Sequence, residues 1–268
     1  MGVGASASAS KRAASGVAKM AVSKPAEEQG SSRQASRDVY LGEPVDLRAT
    51  VFGAGRMGCA MAGQLALKGV AVTIYDHTEF TRSRAIQVTK GMMKELVDSG
   101  HLLESAKASA VERIRIAENM EDALREADIV FEAIPEDLNL KIEVFKSLDA
   151  AATLSSTVLT TNSISYFVEQ IADSSTMQHK LCGVRFLHPV LLIDEVEVCS
   201  PKDRETEDRV LEMLKKTGLQ PYRYEGTRRV LYQSEVAKAY NAMKAACQQA
   251  REAQGAGAER TMERTLSE

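Results

Sequence analysis

The sequence predicts a doubly wound α/β fold with a mostly parallel sheet, and three observations carry that expectation. From Leu47 onward, short apolar runs rich in Val, Ile and Thr alternate with stretches of helical periodicity, the pattern of successive βαβ units. The first of these runs ends in a glycine-rich turn that opens a helix. At 268 residues, 44% hydrophobic and 26% charged, the chain can bury a sizeable core, and fibrous, collagenous and wholly disordered proteins are excluded.

Taken in order, the apolar runs place strands near residues 48–53, 70–75, 113–116, 128–133, 157–161, 181–186, 194–199 and 220–224. A helix follows Gly55, and further helices over Leu138–Ala151, Ser165–Ala172 and Glu205–Thr217 supply crossovers. Between the second and third strands lies a long helical stretch, Glu79 to Val111, broken at Gly100, which reads as an inserted helical hairpin. Beyond the last strand, Val230 to Gln254 reads as one short C-terminal helix, with Val236, Tyr240, Met243 and Cys247 on an apolar side in need of a partner surface. The organisation expected is a flexible arm over 1–46, a nucleotide-binding domain over 47–225, and a helix with a polar tail over 226–268.

The arm is rich in Ala, Ser and Gly, and no acid precedes Glu27. Three readings fit it. One is a disordered tail, one is an acid-poor organelle transit peptide, and one is N-myristoylation at Gly2, since Met1-Gly2-Val3-Gly4-Ala5-Ser6 fits M-G-x-x-x-S. A net charge of −3 gives no reason to expect a nucleic-acid partner, and no apolar stretch approaches the roughly 18 residues of a membrane span. Cys59, Cys182, Cys199 and Cys247 form no C-x-x-C pair and share no ligand spacing with the histidines, so reduced thiols packed in the interior are expected in place of a zinc or disulfide framework.

The chemistry begins at Val51-Phe52-Gly53-Ala54-Gly55-Arg56-Met57-Gly58, a strand running into G-x-G-x-x-G and a helix. Gly53 suits a tight turn, Gly55 lets backbone approach a pyrophosphate, and Gly58 lets helix and strand pack closely, while the helix start offers free N–H groups to phosphate. Arg56 and Met57 sit where side chains lie over a cofactor. The next strand ends in Asp76, placed to accept hydrogen bonds from an adenine ribose and to repel a 2′-phosphate. This is a Rossmann-type arrangement, and the expected cofactor is NAD rather than NADP.

Together with the string Asp128-Ile129-Val130-Phe131-Glu132-Ala133-Ile134-Pro135-Glu136-Asp137, Lys141, Asn162, Pro189-Val190 and Val196-Glu197-Val198, these motifs resemble the NAD-binding domain of the L-3-hydroxyacyl-CoA dehydrogenases over about residues 47–235. Lambda-crystallin-like sugar-acid dehydrogenases share that domain. The resemblance implies hydride transfer from a 3-hydroxyacyl thioester to NAD, with a histidine as base and a glutamate that orients it. It also implies cofactor roles for Ala133, Glu136 and Lys141. The catalytic side departs from the family pattern. Arg185 stands at the histidine position, and an arginine does not deprotonate. Ile164 stands at the serine that would touch the substrate, Gln233 at the family's asparagine, while Glu197 is kept. The reading favoured is therefore an NAD-binding accessory or structural subunit with a degraded catalytic site, meeting its partner through the C-terminal helix and the arm. The alternative is an active oxidoreductase in which His188 serves as displaced base beside Glu197, on an acyl-CoA-type substrate. Lys90 or Lys94 on the hairpin would meet a CoA phosphate in that case, and form a solvated basic face otherwise. The mitochondrial matrix is the expected location, with a cytoplasmic, lipidated protein as its rival.

Overall fold

The computed structural model describes residues 42–172, 180–200, 203–224, 238 and 241–253. Its elements run β1 (Arg48–Phe52), α1 (Arg56–Leu67), β2 (Ala71–Tyr75), α2 (Glu79–Asp98), α3 (Glu104–Glu112), β3 (Ile114–Ile116), α4 (Met120–Leu124), β4 (Ile129–Glu132), α5 (Leu138–Ala151), β5 (Val158–Thr161), α6 (Val168–Ala172), β6 (Lys180–Phe186), β7 (Glu195–Cys199), α7 (Arg204–Lys216) and β8 (Gln220–Arg223), and residues 241–253 are helical. One sheet of order β3-β2-β1-β4-β5-β6-β7-β8 joins the strands, parallel except where β7 runs against β6. The order reverses between β1 and β4, the switch point at which open α/β sheets receive nucleotides. Every predicted strand is present, and the two-helix insertion is α2 and α3.

The central strands β4 and β5 are buried at every position, as expected of parallel strands covered on both faces. One apolar cluster joins the sheet to α1, α2, α3 and α7 through Met61, Leu65, Met93, Ala106 and Val210. The other joins it to α4, α5 and α6 through Leu124, Phe145, Leu148 and Ile171. The short helix α4 is absent from the sequence reading. Its start is marked by Asn119, whose side chain accepts a hydrogen bond from Asp122 N. Asp137 and Asp203 cap α5 and α7 in the same way.

One boundary differs from expectation. Gly42 N donates to Leu67 O and Val45 N to Gly69 O, so residues 42–46, read as the end of the arm, lie bonded along the α1–β2 turn. On the C-terminal helix, Met243 packs against the larger apolar cluster and Cys247 is fully buried, while Val236 and Tyr240 lie outside the described residues. The four cysteines are all free and buried, and burial pushes their thiols up, that of Cys182 to about 12. None of the described helices is long and apolar enough to cross a membrane.

Candidate cofactor and catalytic site

The glycine turn is held in its shape by close packing. Gly53 has φ +110°, a conformation L side chains rarely adopt, and a Cβ there would lie 2.6 Å from the carbonyl oxygen of Ala133 at the end of β4. A Cβ on Gly58 would lie 1.9 Å from Gly53 O, so strand and helix meet closely at that point. Gly55 differs from both. A Cβ there would meet nothing within 4 Å, and as the N-cap of α1 it makes no side-chain capping bond. Open space in front of a helix N-terminus with free N–H groups suits a pyrophosphate. Asp76, 13% exposed, closes the other end: Oδ2 accepts from Ala54 N at 2.9 Å and Oδ1 from Thr78 N at 2.9 Å. Its carboxylate is thereby fixed against the glycine turn, with lone pairs left for a ribose diol. These residues fit NAD.

Beyond the switch point a polar cluster lies at the ends of β4 and β5. Glu132 and Lys141 are each 1% exposed; Lys141 Nζ donates to Glu132 Oε1 at 2.8 Å and lies 3.2 Å from Glu136 Oε2. The second oxygen of Glu132 accepts from Thr161 Oγ1 at 2.6 Å, and Ile134 N donates to the first at 2.8 Å. Glu136 Oε1 gathers Ser163 Oγ at 2.6 Å, Ile164 N at 3.0 Å and Ser165 N at 2.8 Å. Burial works against its charge, but the bonds from Ser163 and Ser165 and the charge of Lys141 prevail, and the carboxyl is held down at about 2.

The third group is a row across three strands. Register pairs Arg185 on β6 with Glu197 on β7, and Glu197 with Tyr222 on β8. Arg185 Nη1 donates to Glu197 Oε1, its Nε donates to Ser163 O at 2.6 Å, and its guanidinium lies 5.5 Å from the centre of the Tyr224 ring. Glu197, 2% exposed, also accepts from Tyr222 Oη at 3.5 Å. Asn162 Oδ1 accepts from Phe186 N at 3.0 Å, tying β5 to β6. His188 stands apart from this row. It is exposed and lines a cavity of about 380 Å³ with Arg56, Met57, Met92, Glu95 and Pro189. Ile164 is 58% exposed.

The sequence profile of the 3-hydroxyacyl-CoA dehydrogenase NAD-binding domain matches residues 48–226. The chain belongs to this family. Among curated relatives, the 3-hydroxybutyryl-CoA dehydrogenase of Clostridioides difficile is 30% identical over 63% of this chain and 60% of its own length. The mitochondrial hydroxyacyl-coenzyme A dehydrogenase of Sus scrofa is 31% identical over 62% and 53%. Among solved structures, Mycobacterium tuberculosis FadB2 superposes with a TM-score of 0.62 at 26% identity, covering 68% of this chain and 64% of that one. The 3-hydroxybutyryl-CoA dehydrogenase of Escherichia coli gives 0.60 at 28%, covering 66% and 38%. The chain spans 60%, 51% and 54% of the length of three curated relatives it matches.

In this 3-hydroxyacyl-CoA dehydrogenase-type domain, the cofactor residues read from the sequence gather at the carboxyl ends of β1, β2 and β4. Gly53, Gly55, Gly58, Asp76 and Ala133 surround the turn, and Glu136 lies beyond the switch point. Lys141 is fully buried between two carboxylates. The proposed catalytic pair is not brought together, because Arg185 and Tyr222 engage the Glu197 carboxylate while His188 lines the cavity beside Arg56 and Met57. Lys94 is paired with Asp98 at 2.6 Å on the exposed face of α2. Gln233 lies outside the described residues. The sequence reading gave no role to Glu132, Thr161, Ser163 or Tyr222. An acid ending an apolar strand, as Glu132 does, is a signal that could have been used; the others acquire their roles only through register and loop geometry.

Proposed function

We propose that this chain is an NAD(H)-binding, 3-hydroxyacyl-CoA dehydrogenase-like protein with a degraded catalytic site that works as an accessory or structural subunit. The observation that carries the reading is the Arg185–Glu197 pair: at the base position stands a cation that gives up no proton near neutrality, and it occupies the carboxylate that would otherwise orient a histidine. When bound, NAD supplies a hydride acceptor. The residues that would hold it are the glycine turn and Asp76 on the adenosine side and Glu136 on the far side, with Lys141 acting through Glu136 because its ammonium is buried.

A partner is supported by the apolar rim beside Glu136, where Ile164 and Phe167 are 58% and 62% exposed. The C-terminal helix keeps an exposed face that such a partner can use, its Met243 and Cys247 side being already covered. For location we propose the mitochondrial matrix, on the acid-poor arm and on relatives named as mitochondrial. Mass spectrometry of the mature N-terminus tests it: a start well after Met1 agrees, and an acylated Gly2 overturns it in favour of a lipidated cytoplasmic protein.

The test of function is calorimetric titration with NADH, followed by acetoacetyl-CoA with absorbance monitored. Binding without turnover is expected, and the double substitution Arg185→His/Ile164→Ser is expected to introduce turnover. Turnover by the unaltered chain would sink the degraded-site reading, and absence of NADH binding would sink the cofactor reading.

A further inference from the structure

The first turn of α2, which begins shortly after Asp76, carries a cation where helix electrostatics disfavour one. Arg82 is the fourth residue of that helix, and the dipole already presents its positive end there. No carboxylate, Glu79 of the same turn included, forms an ion pair with Arg82 among the described residues. Its Nη1 donates instead to the backbone carbonyl of Asp76 at 2.5 Å. The guanidinium carbon lies over the Tyr75 ring, 5.5 Å from its centre, within the range of a cation–π contact. Tyr75 packs in turn on Phe52, with ring centres 5.3 Å apart. Phe52, Tyr75 and Arg82 thus form one column at the ends of β1 and β2, beside the glycine turn. Arg82 remains partly exposed at the end of that column.

The position of this cation narrows what it meets. Arg82 holds the carbonyl of the same residue whose carboxylate is fixed against the glycine turn to receive the adenine ribose. The base is joined to that ribose by a single bond, so it comes to rest close to Asp76. A guanidinium hydrogen-bonds in its plane and is weakly hydrated, so its faces receive flat aromatic rings, nucleic-acid bases among them. The other group such a cation would hold is a 2′-phosphate, which the Asp76 carboxylate repels. We propose that Arg82 is a specificity-determining residue of the cofactor site, whose guanidinium, supported by Tyr75 and the Asp76 carbonyl, covers the adenine ring of the dinucleotide. The proposal rests on the NAD(H) reading of the glycine turn.

Calorimetric titration of the full chain with NADH, NADPH and ADP-ribose, which lacks the nicotinamide, tests this, with saturation-transfer NMR on the adenine protons of ADP-ribose. Arg82→Met is expected to weaken NADH and ADP-ribose equally, by about fivefold, the ratio a partly exposed cation–π contact contributes. Saturation of the adenine protons is expected to fall relative to the ribose protons, while circular dichroism stays as before. Arg82→Lys keeps the charge without the flat face, and its affinity is expected to stay closer to that of Arg82→Met than to that of the unaltered chain. NADPH is expected to bind the unaltered chain at least about tenfold more weakly than NADH. A loss in Arg82→Met below about twofold, full recovery in Arg82→Lys, unmoved adenine saturation, or NADPH binding as tight as that of NADH would each overturn the proposal and leave the cofactor reading standing. Failure of the unaltered chain to bind NADH and ADP-ribose would sink both.

Discussion

Lys141→Met is the sharpest probe of the polar cluster. The ammonium lies 2.8 Å from Glu132 and 3.2 Å from Glu136, with Lys141 and Glu132 each 1% exposed. Removing it leaves the Glu132 carboxylate buried without a counter-charge, a change that costs about 3–5 kcal/mol. Ile134 N and Thr161 Oγ1 still donate to that carboxylate, which puts the expected loss at the lower end, about 3 kcal/mol. For a domain of this size that corresponds to a fall in Tm of about 6–12 °C, read by circular dichroism at pH 7. The double substitution Glu132→Gln/Lys141→Met removes both charges, and it is expected to recover at least half of the loss. A single substitution that moves Tm by less than about 2 °C, or a double substitution as unstable as the sum of its parts, would refute the argument that burial of an unpaired charge governs this cluster.

Other outcomes follow from the same geometry. Gly55→Ala meets nothing within 4 Å and is expected to leave Tm within about 2 °C while weakening NADH binding at least tenfold by calorimetry; Gly53→Ala, with its positive φ and Ala133 O 2.6 Å from the new Cβ, is expected to lose both stability and binding. Glu136 has a folded pKa of about 2, lowered from its ordinary value of 4.5, so its contribution to stability is fully present above about pH 4.5 and is lost as pH falls toward 2. Ser163→Ala is expected to move that titration upward, measured by carboxyl ¹³C NMR, and an unmoved midpoint would count against the assigned bonds. Arg185→Ala strips the 2%-exposed Glu197 of its counter-charge and is expected to cost about 3 kcal/mol in urea denaturation, whereas His188→Ala on the exposed loop is expected to change stability by less than about 0.5 kcal/mol.

Much of this protein is local in origin and so was open to a reader of the sequence. Strand positions follow from short apolar runs between breakers, and the inserted hairpin from helical periodicity interrupted at Gly100, because those preferences act between near neighbours. The glycine turn is legible for the same reason: Gly53, Gly55 and Gly58 mark positions where a Cβ has no room or where a ligand needs it. Asp76 could be assigned because it ends the strand beside that turn. The replacement of a titratable base by Arg185 was equally plain, since it is a matter of side-chain chemistry alone.

The tertiary structure decided what those groups touch. Arg185, Glu197 and Tyr222 are far apart in the chain and form a row only through the register of β6, β7 and β8. His188 and Glu197 are near in sequence, yet the connection after β6 carries His188 to α1 and leaves Glu197 to the arginine. Lys141, expected at the cofactor, is held in the interior against Glu132, which lies on a strand paired with β5. Met243 and Cys247 of the C-terminal helix are covered by their own chain. Periodicity fixes which face of an element is apolar; which surface receives that face depends on non-local contacts whose free energy is set by the packing of the whole fold.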